Sequence, residues 1–102
     1  MRQLAILMRK LGAATVPELV AKRIELQRLR GLTPTELTVL RRMAAGEHNR
    51  NIAQAMGIRL DTVKKHASEI YSRLRVDGRP GAIVLYTEWR GVIDPPTPTK
   101  VD

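Results

Sequence analysis

The stretch NRNIAQAMGIRLDTVKKH, residues 49–66, decides how this chain is read. Ile52, Ala53 and Met56 recur at the spacing of one helix face, Asn49 offers a cap ahead of them, and Gly57 ends the run. A longer helix is predicted from about Leu60 to Leu74, with Val63, Ala67, Ile70 and Leu74 on its buried side. Two helices joined by so tight a turn need a small residue at the crossing and a positive φ at the corner. Ala53 and Gly57 supply these, and Ile58 and Val63 can plug the angle between the helices. The pattern is that of a helix-turn-helix.

Working outward, Thr33-Pro34-Thr35-Glu36 is a capping box: Thr33 caps, Pro34 suits the first helical position, and Glu36 reaches back to the cap amide. The helix it opens buries Val39, Leu40, Met43 and Ala44 and ends at Gly46. Thr15, Pro17 and Glu18 carry the same spacing and open a helix running to about Arg30, with Gly31 as the stop. Its apolar positions (Val16, Leu19, Val20, Ile24, Leu26, Leu29) cover a wide arc, which predicts cover on more than one side. Before it, Leu4, Leu7, Met8 and Leu11 share one face of a short helix that stops at Gly12. Downstream, a last helix from Pro80 carries Ile83, Val84, Tyr86 and Trp89 before Gly91. The tail from Asp94 onward has three prolines and little to bury, and is expected to be disordered. The fold class is therefore all-α: a four-helix module over residues 32–93, preceded by one or two N-terminal helices within residues 1–31 and followed by a tail, 94–102.

With 102 residues, the chain suits one compact domain. Phenylalanine is absent and aromatics total 3%, so the core must be aliphatic. The lack of cysteine excludes disulfides, thiolate zinc sites and cysteine nucleophiles. Only His48 and His66 are histidines, with no carboxylate cluster near either, so no metal and no cofactor are expected. No apolar run reaches the length of a membrane span, and Arg9-Lys10 interrupts the apolar start too early for a signal-peptide core. A cytoplasmic protein without a membrane or small-molecule partner is expected. The formal charge is +8, and a basic excess of this size on a small domain suggests a polyanionic partner, most simply nucleic acid.

The outward side of the 60–74 helix carries that suggestion further. Successive residues turn by about 100°, so Asp61, Lys64, Lys65, Ser68, Ser72 and Arg75 lie opposite the apolar set. Lysines can donate to guanine O6 and N7 or to phosphates, and Ser68 to base edge or backbone. Asp61, which phosphates would repel, can accept from a cytosine N4 amine or favour the positive end of the helix dipole, and the dipole reading is preferred. The bland readings are a solvated basic face here, core or dimer packing for Tyr86 and Trp89 rather than base stacking, and a structural His66. The Arg41-Arg42 pair fits a solvated face and a phosphate contact equally well.

Leu32-Thr33-Pro34-Thr35-Glu36, Val39-Leu40, Gly46, Asn49-Arg50-Asn51-Ile52-Ala53, Met56-Gly57-Ile58 and Thr62-Val63-Lys64-Lys65-His66 together resemble the LuxR/GerE-type helix-turn-helix over residues 32–93. The resemblance implies a four-helix, double-stranded-DNA-binding domain of bacterial transcription regulators. In it the third helix reads the major groove and the fourth commonly forms a homodimer contact. Carried over position by position, Lys64, Lys65 and Ser68 become base-contact candidates. Asn49, Arg50, Asn51, Arg59, Thr62 and His66 become candidates for the DNA backbone or for supporting the helix, and Ile83, Tyr86 and Arg90 for the dimer interface. Location on the nucleoid follows from the same resemblance.

Three positions depart from the pattern. Arg59 replaces a capping Ser or Thr, Arg75 replaces a glycine before Val76, and Leu37 replaces an exposed polar residue, as if an N-terminal helix lay over it. The leading expectation is a sequence-specific transcription regulator acting as a dimer. An alternative of another class is a protein-interaction module, anti-activator-like, that captures a larger regulator through its N-terminal helices or its last helix. A promoter binder resembling sigma-factor region 4 shares the Leu-Thr-Pro-x-Glu start, but Thr62-Val63-Lys64-Lys65-His66 favours the LuxR-type reading. An enzyme is not expected, for want of any nucleophile–base pair, metal set or phosphate-cradling glycine loop.

Overall fold

The computed structural model describes residues 15–95. The helix expected over Leu4–Leu11 lies outside them, as does the tail from residue 96. The described residues form five helices: α1 (Val16–Arg30), α2 (Pro34–Ala44), α3 (Asn49–Met56), α4 (Leu60–Leu74) and α5 (Arg79–Ile93). The chain is all-α, as the periodicity requires.

The caps at α1 and α2 form as the sequence predicts. Thr15 Oγ1 accepts from the Glu18 amide at 3.2 Å. At α2 the box is reciprocal: Thr33 Oγ1 accepts from the Glu36 amide at 3.1 Å, and Glu36 Oε1 accepts from the Thr33 amide at 2.9 Å. Glu36 is only 1% exposed, and its second oxygen lies 3.2 Å from Arg73 Nε of α4, close enough for an ion pair though outside hydrogen-bond geometry. One carboxylate thus starts α2 and ties it to α4.

Three helices end in the same device. After α2, α3 and α4, an amide two or three places beyond the helix bonds back to a carbonyl five residues earlier: Glu47 to Arg42, Ile58 to Ala53 and Val76 to Tyr71, at 3.1, 3.0 and 3.0 Å. These are Schellman turns, and each needs a left-handed residue at its corner. Gly46 and Gly57 supply φ of 86° and 66°, and at α4 the corner is Arg75, with φ 59°. Replacing the family's glycine there does not move the helix terminus; α4 still ends at Leu74. The cost is local, about 1–2 kcal/mol for an L-residue in this conformation.

Val39, Leu40, Met43, Ile52, Val63, Ile70 and Leu74 have essentially no exposed surface, and they pack with Leu29, Ala82 and Trp89 into one core. Leu29 belongs to that same cluster, so α1 is packed onto the module rather than set apart from it. Leu37 is half-buried against the core.

Some expectations shift. The cap of α3 is His48, without a side-chain cap bond, and Asn49 is the first helical residue. The last helix begins at Arg79, one residue before Pro80. It also continues through Gly91 to Ile93, because nothing at Gly91 forces a turn. Asp94, read as tail, belongs to the fold: its carboxylate accepts from Arg41 and from the Tyr86 hydroxyl.

Two of the three left-handed corners, Gly57 and Arg75, make a paired prediction. At Gly57 a Cβ would meet no atom within 4 Å, so Gly57→Ala tests backbone strain alone. It should cost about 1 kcal/mol, whereas Arg75→Gly should gain about 0.5–1 kcal/mol after the extra unfolded-state entropy of glycine. Thermal unfolding followed by circular dichroism should move a few degrees down and up respectively. Shifts of the same sign would contradict this account.

Candidate nucleic-acid interface

The face in question is made by α3, its turn and α4. Val63, Ala67, Ile70 and Leu74 are buried beneath α4, and Asp61, Lys64, Lys65 and Ser68 are exposed on the opposite side. Arg50 and Asn51 are exposed on the first turn of α3, and Arg59 is exposed at the start of α4. Thr62, His66 and Asn49 are half-buried around this face. Nδ1 of His66 is shielded without a hydrogen-bond partner. Both helices start without a side-chain cap, since neither His48 nor Arg59 makes a cap bond. Their first-turn amides therefore lack an acceptor of that kind, the condition in which helix N-termini suit anions.

The ion pairs sort the cations into two groups. Lys22 pairs with Glu25 and Glu88, Arg41 with Asp94, Arg42 with Glu47, and Arg73 with Glu36. Arg79 donates to Asn49 Oδ1 at 3.3 Å and to the Glu47 carbonyl, holding the α2–α3 loop against the start of α5. Among the described residues, Arg23, Arg28, Arg30, Arg50, Arg59, Lys64, Lys65, Arg75 and Arg90 have no such partner, and of these Arg50, Arg59, Lys64 and Lys65 belong to α3, its turn and the first half of α4. Arg41 and Arg42, which suit a solvated face and a phosphate contact alike, both pair within the fold.

Of the residues expected at a dimer contact, Arg90 is exposed and Ile83 half-buried, while Tyr86 is 5% exposed and directs its hydroxyl to Asp94. Trp89 is a core residue whose indole N–H donates to Glu25 Oε2 at 3.0 Å. The positioning groups that sequence reading missed are Arg73, Arg79 and Asp94. Each acts on a residue far along the chain, 30 positions away for Arg79–Asn49 and 53 for Arg41–Asp94, where no local spacing points to it.

A family model described as bacterial regulatory proteins, luxR family, matches residues 30–86, from the last turn of α1 into α5. The chain belongs to this family. Its helix-turn-helix is a DNA-binding domain of the transcription-regulator type. Over 60 residues it is 38% identical to the nitrate/nitrite response regulator protein NarP of Escherichia coli (strain K12), across 59% of this chain and 28% of NarP. Over 56 residues it is 45% identical to the glycerol metabolism activator of Pseudomonas putida, across 55% of this chain and 25% of that protein. The response regulator protein VraR of Staphylococcus aureus is 41% identical over 63 residues, 62% of this chain and 29% of VraR. The chain therefore spans less than a third of the length of these relatives. No solved structure matches it significantly. Among the described residues, no helix is long and apolar enough to cross a membrane.

Arg41 Nε and Nη2 grip Asp94 at 2.7 and 2.5 Å, and this bond, with that from Tyr86, holds the Asp94 carboxyl below the usual carboxylate range against the opposing effect of burial. A carboxyl lowered in the folded state contributes stability above its unfolded pKa and loses it as pH falls through the folded value. Asp94→Asn should cost about 1 kcal/mol at neutral pH, kept small because Arg41 is 43% exposed and the pair is screened. The penalty should shrink as pH drops below about 4. Urea unfolding of both proteins across that range checks it, and a pH-independent penalty would count against the clamp.

Proposed function

We propose that this chain is a sequence-specific regulator that lays α4 in the major groove of double-stranded DNA, with Lys64, Lys65 and Ser68 at the base edges. One observation carries the reading: a row of exposed, unpaired polar side chains stands directly over a wholly buried apolar underside. That arrangement fixes the helix axis in the protein while leaving its outer side to a ligand. Arg50, Asn51 and Arg59, with the uncapped amides of α3 and α4, are placed to flank the groove and take phosphates. Thr62 and His66 support the helix or touch the backbone from its half-buried edge. Asn49, whose Oδ1 already accepts from Arg79, has only its amide nitrogen left for a phosphate.

A homodimer completes the proposal. Its contact is the side of α5 that carries the half-buried Ile83 and the exposed Arg90 at i, i+7, with Val84, 66% exposed, adjoining it. Tyr86 supports this surface from beneath. Two copies would meet half-sites about 10 bp apart.

The test begins with sequences selected from random duplex DNA by the wild-type protein. Lys64→Ala and Lys65→Ala should each weaken the selected site by about 1–3 kcal/mol and relax base preference locally. Arg50→Ala should weaken all sequences alike and lower the salt slope by about one. Should folded Lys64→Ala and Lys65→Ala proteins select the same sites with unchanged affinity, α4 is not the reading helix.

A further inference from the structure

Among the described residues, Arg75 alone combines a side chain with a positive φ, 59°, the left-handed region that L-residues enter only at a cost. The corner is closed by backbone groups, the Arg75 amide to the Ser72 carbonyl and the Val76 amide to that of Tyr71, so it asks nothing of an arginine side chain. That side chain is exposed and, among the described residues, pairs with no carboxylate, not even with the exposed Asp77 two positions on. We propose, on the reading of α4 as the groove-binding helix, that the Arg75 guanidinium binds a DNA phosphate on the far wall of the major groove.

Helix geometry places it there. At about 100° per residue, the Cα atoms of Lys64, Ser68 and Arg75 lie within about 40° of one another around α4. Arg75 therefore continues the row proposed to face DNA, about 16 Å along the axis from Lys64. The major groove is about 12 Å wide, so a helix whose first half sits at the base edges brings its last residue to the groove's rim, where the phosphates stand. Arg59 occupies the other end of the same helix. Phosphate contacts at both ends fix the register of α4 in the groove without reading a base.

Two plainer roles do not account for this arginine. A cation at a helix end suits the negative pole of the dipole, but Arg73 already stands in the last turn of α4 in ordinary helical geometry. Solubility needs no strained corner, since Arg23, Arg28, Arg30 and Arg90 are exposed and unpaired elsewhere. Glycine would take the Arg75 conformation freely, and asparagine more readily than arginine does. A residue that folding disfavours, with no contact in the fold to offset it, is accounted for by a contact made outside the fold.

Because Arg75→Gly should stabilise the fold, weaker binding by that variant cannot be put down to unfolding. The full chain is titrated, over a range of salt concentrations, with duplex DNA carrying the site that the wild-type protein selects. Arg75→Gly and Arg75→Asn should each bind roughly three- to tenfold more weakly at low salt, with the salt slope lowered by about one and the base preference unchanged. Arg75→Lys, which keeps the charge at the same corner, should keep the slope. Lys64→Ala, which should relax base preference, reports separately on the groove assignment. An unchanged slope in Arg75→Gly, on a site that does depend on Lys64, would overturn the Arg75 contact and leave the reading of α4 standing. An equal loss of slope in Arg75→Lys would also overturn it, assigning the effect to the backbone of the corner. Where the site does not depend on Lys64, the reading of α4 and the Arg75 contact fall together.

Discussion

The burial of one side of α4 constrains everything else in this molecule. Val63, Ile70 and Leu74 are at most 1% exposed and Ala67 only 5%, and α4 packs against each of the other four helices. Each large aliphatic side chain so buried contributes about 1.5–3 kcal/mol, enough together to set the rotation of α4 about its own axis. Once that rotation is fixed, the 3.6-residue repeat leaves no freedom over which residues face outward. Lys64, Lys65 and Ser68 are presented because Val63, Ala67 and Ile70 are hidden.

The remaining contacts hold this arrangement in place. Glu36 links the start of α2 to Arg73 near the end of α4, and Arg79 links the start of α5 to the loop that opens α3. The Arg41–Asp94–Tyr86 group fastens the end of α5 to α2, while Trp89–Glu25 and Lys22–Glu88 seat α1. Apolar packing sets how close the helices come, and these directional bonds set where along their lengths they meet.

What the sequence disclosed follows from the range of the interactions involved. Periodicity and caps act over three or four residues, so the span of α4, its buried set and the Thr33–Glu36 box could be read directly. The Asn49 cap failed because its side-chain oxygen is engaged 30 residues away by Arg79, leaving His48 at the boundary. Reading Asp94 as tail failed likewise, since three prolines nearby say nothing about an arginine 53 positions upstream. At Gly91 and Arg75 the residue type misled in opposite directions. A glycine inside α5 met no steric demand to turn, whereas the corner after α4 kept its left-handed geometry without a glycine because the Val76–Tyr71 bond and the core around Leu74 hold it.

The distribution of charge then separates scaffold from surface. Glu25, Glu36, Glu47, Glu88 and Asp94 each draw a cation or a polar hydrogen toward a helix–helix or helix–loop junction. Between residues 50 and 68, Arg50, Arg59, Lys64 and Lys65 stand against Asp61 alone, and no carboxylate of the described fold reaches them. Like charges gathered on one exposed face repel one another, a cost that solvent and salt reduce but do not remove. Folding gains nothing from gathering them there, because the underside of α4 would pack equally well beneath a neutral outer row. The uncompensated field has its use when a polyanion arrives, since neutralising the face then releases both its self-repulsion and the counterions of the partner.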